Sequence, residues 1–230
     1  MGQQGIKEIE AALAGWDFLQ QLPQQIGSFK LLPGTGISGQ ILNIAAYSDP
    51  AAHTRLDLTY TGETFDYVPV KNVGLHTFRD ERYFCRDREH FAAQMLEQLP
   101  DILKGIDRTR PHKMPYEARA LGFDKWTYWR GLPRETGGYR LFITPDNPLA
   151  YINGSYIFLD YTDFERGNQV YFSYNAFRNE LFAEKKKGWL PLTTDVFDVT
   201  DKSTGDRFKL DRLAELMDEH LEAVLQDLGK

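Results

Sequence analysis

Cysteine is almost missing from this chain. Of its 230 residues only Cys85 is one, so no intrachain disulfide can form, and the chain suits a reducing compartment such as the cytoplasm. Long apolar runs are missing too. No stretch approaches the about 18 uninterrupted apolar residues of a spanning helix. The opening residues, MGQQGIKEIEAALAG, lack the basic start and apolar run of a signal peptide. Gly2 is followed at position 6 by Ile6, where N-myristoylation prefers Ser or Thr. A cytoplasmic protein with no membrane partner is therefore expected. Positive charge is not in excess: the formal net charge is −6. Residues 1–110 hold 11 Lys and Arg against 14 Asp and Glu, and residues 111–230 hold 16 against 19. With both halves at −3, a nucleic-acid partner is not expected, although a local basic patch is compatible with these totals.

Catalytic signatures are scarce as well. His53, His76, His90, His112 and His220 form no H-x-H or H-E-x-x-H pattern, so no metal site is predicted. No G-x-S-x-G, Walker A or paired-carboxylate motif occurs. Residues 34–39, GTGISG, spell G-x-G-x-x-G, but a dinucleotide site needs a helix after the glycines. Here QILNIAAY follows and reads as strand, so the glycines are assigned to turn geometry and no cofactor is expected. Cys85 sits among Arg82, Arg86, Arg88 and His90, just before an expected helix. Positive neighbours and a helix N-terminus favour a thiolate, with His76 or His90 as the base. Lone cysteines, however, behave mostly as small apolar residues.

What the chain does have is pattern. Ile6, Ile9, Leu13 and Trp16 recur at helical spacing, extended by Phe18, Leu19 and Leu22 up to Pro23. Residues 29–32 read as a short strand and 33–39 as a glycine-rich loop. Residues 40–47 and 55–60 read as a hairpin, with 73–78 and 82–85 as further strands. Asp87 is a candidate N-cap for a helix over 89–104. Residues 107–115, DRTRPHKMP, carry two prolines and no apolar period, and mark a linker. Beyond it, 117–131 reads as helix and 139–144 as strand. Asn153-Gly154 reads as a hairpin turn between 150–152 and 155–161. Residues 169–174 and 190–199 read as strands, and 210–228 as a strongly amphipathic helix.

The two halves also echo each other. WDFLQQLPQQIGSFKLL (16–32) and WTYWRGLPRETGGYRLF (126–142) share Trp, Leu, Pro, Gly and Leu at a displacement of 110 residues. Tyr47-Ser48-Asp49 meets Tyr161-Thr162-Asp163 at 114, and Lys71 and Gly74 meet Lys185 and Gly188 in that register. Ala92, Met95, Glu97, Leu99 and Leu103 meet Ala214, Met217, Glu219, Leu221 and Leu225 at 122. Three blocks in one order point to a duplicated domain. The expected fold is α+β: two tandem repeats, 1–106 and 116–230, each a helix, an antiparallel sheet of about four strands and a closing helix, packed with pseudo-two-fold symmetry.

The second half is rich in aromatics. Strand alternation puts Tyr156, Phe158 and Phe172 on one face and Ile157, Tyr161 and Tyr171 on the other. The expected role is binding or adaptor work without catalysis, for a protein or small-molecule partner. It would act through an inter-repeat groove or this aromatic face, with Tyr128, Trp129, Arg130, Tyr161 and Tyr171 as contact residues. The alternative is a small-molecule enzyme at the repeat interface using Cys85 or His76. The run Lys185-Lys186-Lys187 is expected at an exposed edge, where lysines discourage sheet-to-sheet association.

Overall fold

The computed structural model describes residues 7, 9–11, 13, 15–192, 194–201, 203–205 and 207–230. The chain divides into two compact units, Met1–Thr109 and Arg110–Lys230, each mixing helices with one antiparallel sheet. The division falls inside the stretch read as a linker. Met114, in that stretch, is buried in the second unit's core.

Part of the opening helix predicted in the first unit lies outside the described residues. Within them, helix gives way around Gly15 to a turn and resumes in α1 (Phe18–Gln21). A meander follows: β1 (Gln25–Ile26), β2 (Phe29–Ser38), β3 (Ile41–Asp49), β4 (Thr54–Thr61), β5 (Asp66–Val73) and β6 (His76–Arg79), paired in that order. Residues 33–39, expected as a loop, are mostly strand. The ladder slips between Pro33 and Gly36 instead of stopping. A Cβ on Gly34 would lie 2.3 Å from the Asn43 carbonyl oxygen, so only glycine lets β2 pass so close to β3. Residues 82–85, expected as strand, begin within a 3₁₀ turn (Glu81–Tyr83), after which Cys85 makes a two-way backbone bridge to Tyr67.

The closing helix α2 (Arg88–Ile106) starts where Asp87 accepts the His90 backbone N–H at 2.7 Å. Its buried stripe is Phe91, Met95, Leu99, Ile102, Leu103 and Ile106. This stripe packs on β4 and β5, with Tyr67 stacked on Phe91 at 5.3 Å. Each such side chain removed from water contributes about 1.5–3 kcal/mol.

In the second unit the helix predicted over 117–131 is broken. It is α3 (Tyr116–Ala120), a series of turns, then a 3₁₀ turn (Tyr128–Gly131). Gly122 takes φ +99° just after α3, a conformation that ends a helix. The strands are β7 (Glu135–Thr136), β8 (Tyr139–Ile143), β9 (Leu149–Ala150), β10 (Ser155–Asp163), β11 (Asn168–Asn175), β12 (Glu180–Lys187) and β13 (Leu190–Leu192). The sheet runs β13–β12–β11–β10–β8–β7, with β9 also on β10. The helix α4 (Leu210–Leu228) has the predicted bounds.

The sheets thus hold six and seven strands, not about four. The strands missed are informative. β1 and β7 have two residues each; β5 contains Pro69, which demotes a run from strand. β12 is half-exposed and ends in three lysines.

Strand for strand, the meanders share one course. Five pairs of positive-φ residues recur at matching turns: Gly27 and Gly137, Gly39 and Asn153, His53 and Gly167, Phe65 and Asn179, Gly74 and Gly188, while Gly138, Gly154 and Trp189 take positive φ in the second unit alone. The first pair is 110 residues apart and the other four 114. A bulge interrupts β3–β4 between Asn43 and Ala45, and β10–β11 between Ile157 and Leu159, again 114 apart. The Tyr47 hydroxyl donates to the Pro23 carbonyl and the Tyr161 hydroxyl to the Pro133 carbonyl, both at 2.7 Å. α2 and α4 are each 19 residues long, 122 apart. The displacement grows at two places. One is residues 144–148, where the partner of unbroken β2 splits into β8 and β9. The other lies before the closing helix, over residues 80–87 in the first unit and 193–209 in the second.

The β10 bulge also corrects the face assignment. The extra residue shifts the alternation, so Tyr161 joins Phe158, Phe172 and Tyr174 in the core under α4, while Tyr171 stays on the opposite face.

Candidate functional site

Five residues were singled out for contact, and the structure separates them. Tyr161 is fully buried and bonded to Pro133; burial pushes its hydroxyl up to about 12, as it does for Tyr47. Tyr171 is buried, its hydroxyl donating to Glu184 at 2.7 Å; desolvation, then that bond, raises its pKa. Trp129 is buried, with the guanidiniums of Arg130 and Arg134 at 5.6 and 5.3 Å from its ring. Arg130 is exposed and 3.7 Å from Asp146. These four support the fold or lie at its surface. Tyr128 is different: half-buried, it lines a cleft.

The Cys85 thiol donates to the Asp87 carbonyl at 3.2 Å. His76 is fully buried in β6. His90 is exposed beside a small hollow with Tyr83, Gln94 and Glu97. Among the described residues no group of three His, Cys, Asp or Glu converges as a metal site, and no helix is long and apolar enough to cross a membrane.

The cleft lies wholly within the second unit and has a volume of about 1090 Å³, just above the usual range of ligand sites. The turns after α3 bring Leu121, Lys125, Trp126 and Tyr128. The long segment before α4 brings Val199, Asp201, Phe208 and Lys209. The first turns of α4 bring Leu210, Asp211, Arg212, Ala214 and Glu215. Trp126 anchors the floor, 5.8 Å from the Tyr128 ring and 5.9 Å from Phe158. The Tyr128 hydroxyl donates to Asp218 at 2.6 Å, which fixes the ring; desolvation and this bond raise its pKa. The rim carries both signs. Asp201 pairs with Lys209, whose bond holds the carboxyl well below the usual range, and Arg212 pairs with Glu215 at 2.7 Å. Such exposed pairs add little stability. An apolar floor with a rim of both charges can hold an amphipathic ligand.

The same place in the first unit is smaller, about 390 Å³, and is lined by Gly15, Trp16, Phe18, Arg88, Glu89, Ala92 and Ala93. Trp16 occupies the position of Trp126, and Ala92 that of Ala214. Here Arg88 lies over the Trp16 ring at 5.5 Å and Asp87 caps the helix. At the matching positions the second unit has Leu210 and Lys209, and Lys209 makes no side-chain cap. Of the cleft's residues, sequence reasoning named Tyr128 as a contact, but not Trp126, Phe208 or α4's first turns. The extra residues before α4, visible as the jump in displacement from 114 to 122, were the signal.

The chain matches no family model, no curated protein and no solved structure.

Proposed function

We propose that this chain is a non-catalytic binding or adaptor protein, one α+β module present twice, whose second copy holds a segment of a partner protein in the Trp126 cleft. One observation carries the reading. The cleft recurs at the same place in both units and is enlarged in the second by the longer segment before the closing helix. The paired left-handed turns, the matching bulges and the two tyrosine-to-proline bonds support the duplication. A tryptophan floor beside tyrosine and arginine has the composition of interaction hot spots. The cleft's width and its rim of alternating charge suit a polypeptide with one apolar anchor. The single cysteine suits a cytoplasmic setting.

The test uses a random peptide library displayed on phage and selected on the full chain. Peptides recovered should bind the chain and lose affinity by about tenfold or more for Ala214→Trp, which fills the cleft. Ala92→Trp, the matching change in the first unit, should leave binding unchanged, with circular dichroism showing both variants folded. Peptides indifferent to Ala214→Trp would overturn the proposal.

A further inference from the structure

The hairpin joining β12 to β13 differs sharply from its counterpart in the first unit. In the first unit its counterpart runs through Gly74-Leu75 into β6, and it is closed: Leu75 is 4% exposed, His76 0% and Phe78 8%. Lys71 is held at 2.9 Å by Asp80. In the second unit the matching positions are Trp189, 61% exposed, Leu190, 69%, and Leu192, 41%. An exposed hairpin with no role is expected to carry polar side chains; this one carries a tryptophan and two leucines.

Its charge changes as well. The register sets Lys187 opposite Leu190 and Lys185 opposite Leu192, so two lysines stand directly behind the apolar tip. Lys186 faces the other way, its ammonium 5.5 Å over the Tyr171 ring. In the turn beneath, Arg166 offsets Asp163, its partner at 3.4 Å. Trp189 is held in place: its backbone N–H donates to the Gly167 carbonyl at 3.0 Å, and its indole packs where a Cβ on Gly167 would otherwise sit.

We propose that this hairpin is a contact with an anionic lipid surface, Trp189, Leu190 and Leu192 entering the interfacial layer and Lys185 and Lys187 meeting the headgroups. A tryptophan ring suits that depth, and lysine stems reach along apolar surface while their ammoniums stay among phosphates. A protein strand is the less suitable occupant. Pro191, the middle residue of the three-residue edge strand, has no N–H to offer an added strand. The chain's net charge of −6 keeps its other surfaces away from the bilayer and so orients the contact.

The experiment is vesicle flotation with the full chain, comparing phosphatidylcholine vesicles with vesicles of about one-third phosphatidylserine at low salt. The chain should float with the anionic vesicles and not with the neutral ones, and raised salt should release it. Trp16, Trp126 and Trp129 are buried, so a blue shift in tryptophan emission on binding reports Trp189; Trp189→Ser should abolish it. Lys185→Glu with Lys187→Glu should weaken binding about tenfold or more. Leu190→Ser, at a position with little to lose in folding, should weaken it severalfold. Absence of anionic-vesicle binding, binding unchanged in the lysine variant, or a blue shift that survives Trp189→Ser would each overturn the proposal. So would a Trp189 shift produced by poly-glutamate without vesicle binding, which would assign the surface to an acidic protein segment.

Discussion

Replacing Tyr47 or Tyr161 by phenylalanine removes one oxygen and leaves the buried ring in place. Each hydroxyl donates to a proline carbonyl, Pro23 or Pro133, at 2.7 Å, and each tyrosine is fully buried. The bond ties the first long central strand to the turn that precedes the sheet. Without it, a carbonyl loses its donor in a place water reaches poorly, which costs about 1–3 kcal/mol. Local opening becomes correspondingly easier, so amides of β10 and β11 should exchange with deuterium about five- to 150-fold faster in Tyr161→Phe. Tyr47→Phe should do the same to β3 and β4, each effect staying in its own unit. Burial also pushes both hydroxyls from 10.0 up to about 12. The folded state therefore favours the neutral phenol. That contribution is complete below pH 10, where the unfolded phenol is still protonated, and is lost as pH climbs towards 12. The phenylalanine variants should show a shallower alkaline decline over that window. Exchange unchanged in both variants would refute the reasoning, and so would a cost in one unit with none in the other.

Asp80→Asn should destabilise the first unit by about 2–3 kcal/mol in urea unfolding, because it strands the buried Lys71 ammonium. Arg82→Ala, whose side chain is 76% exposed, should cost less than about 1 kcal/mol. Arg82, then Lys71, holds the Asp80 carboxyl well below its usual range. Its contribution is therefore present at neutral pH and is lost as pH falls below about 4 and through the depressed folded value; the Asn variant should lack that acid limb. Gly34→Ala should cost about 2–4 kcal/mol by forcing β2 away from the Asn43 and Ile44 carbonyls, whereas Gly39→Ala, with open space around its Cβ, should cost only about 1 kcal/mol for its positive φ. Equal thermal shifts for these two would contradict the strand assignment of GTGISG.

How much of this was legible follows from which signals are local. The closing helices were, because an apolar stripe of period 3.6 over 19 residues has few competing explanations. The order of strands was partly legible through the 114-residue register, but β5 and β12 were not. Pro69 and three lysines hide them, and their pairing is fixed by neighbours distant in sequence. The face of Tyr161 was misread because a single bulge residue inverts alternation, and nothing in SYIFLDYTD announces one. In the cleft, Tyr128 could be suspected from type alone, whereas Trp126 was not among the expected contacts. Phe208, Leu210 and Ala214 meet them only through the tertiary fold.

The two units carry their own control for the binding proposal. At the start of α2, Asp87 caps the first turn and Arg88 covers Trp16; at the start of α4 the same positions are Lys209 and Leu210. Grafting the closed arrangement onto the second unit, as Lys209→Asn with Leu210→Arg, should act in two opposite directions. An asparagine cap accepts an N–H that lysine cannot, and should stabilise α4 by about 1 kcal/mol. The arginine should cover Trp126 as Arg88 covers Trp16, and abolish binding of cleft-selected peptides. A stability gain together with a binding loss separates this outcome from general damage, which lowers both. Retained binding in a stabilised variant would mean that these two positions do not set the difference between the clefts. The width would then be left to Phe208 and the segment before α4.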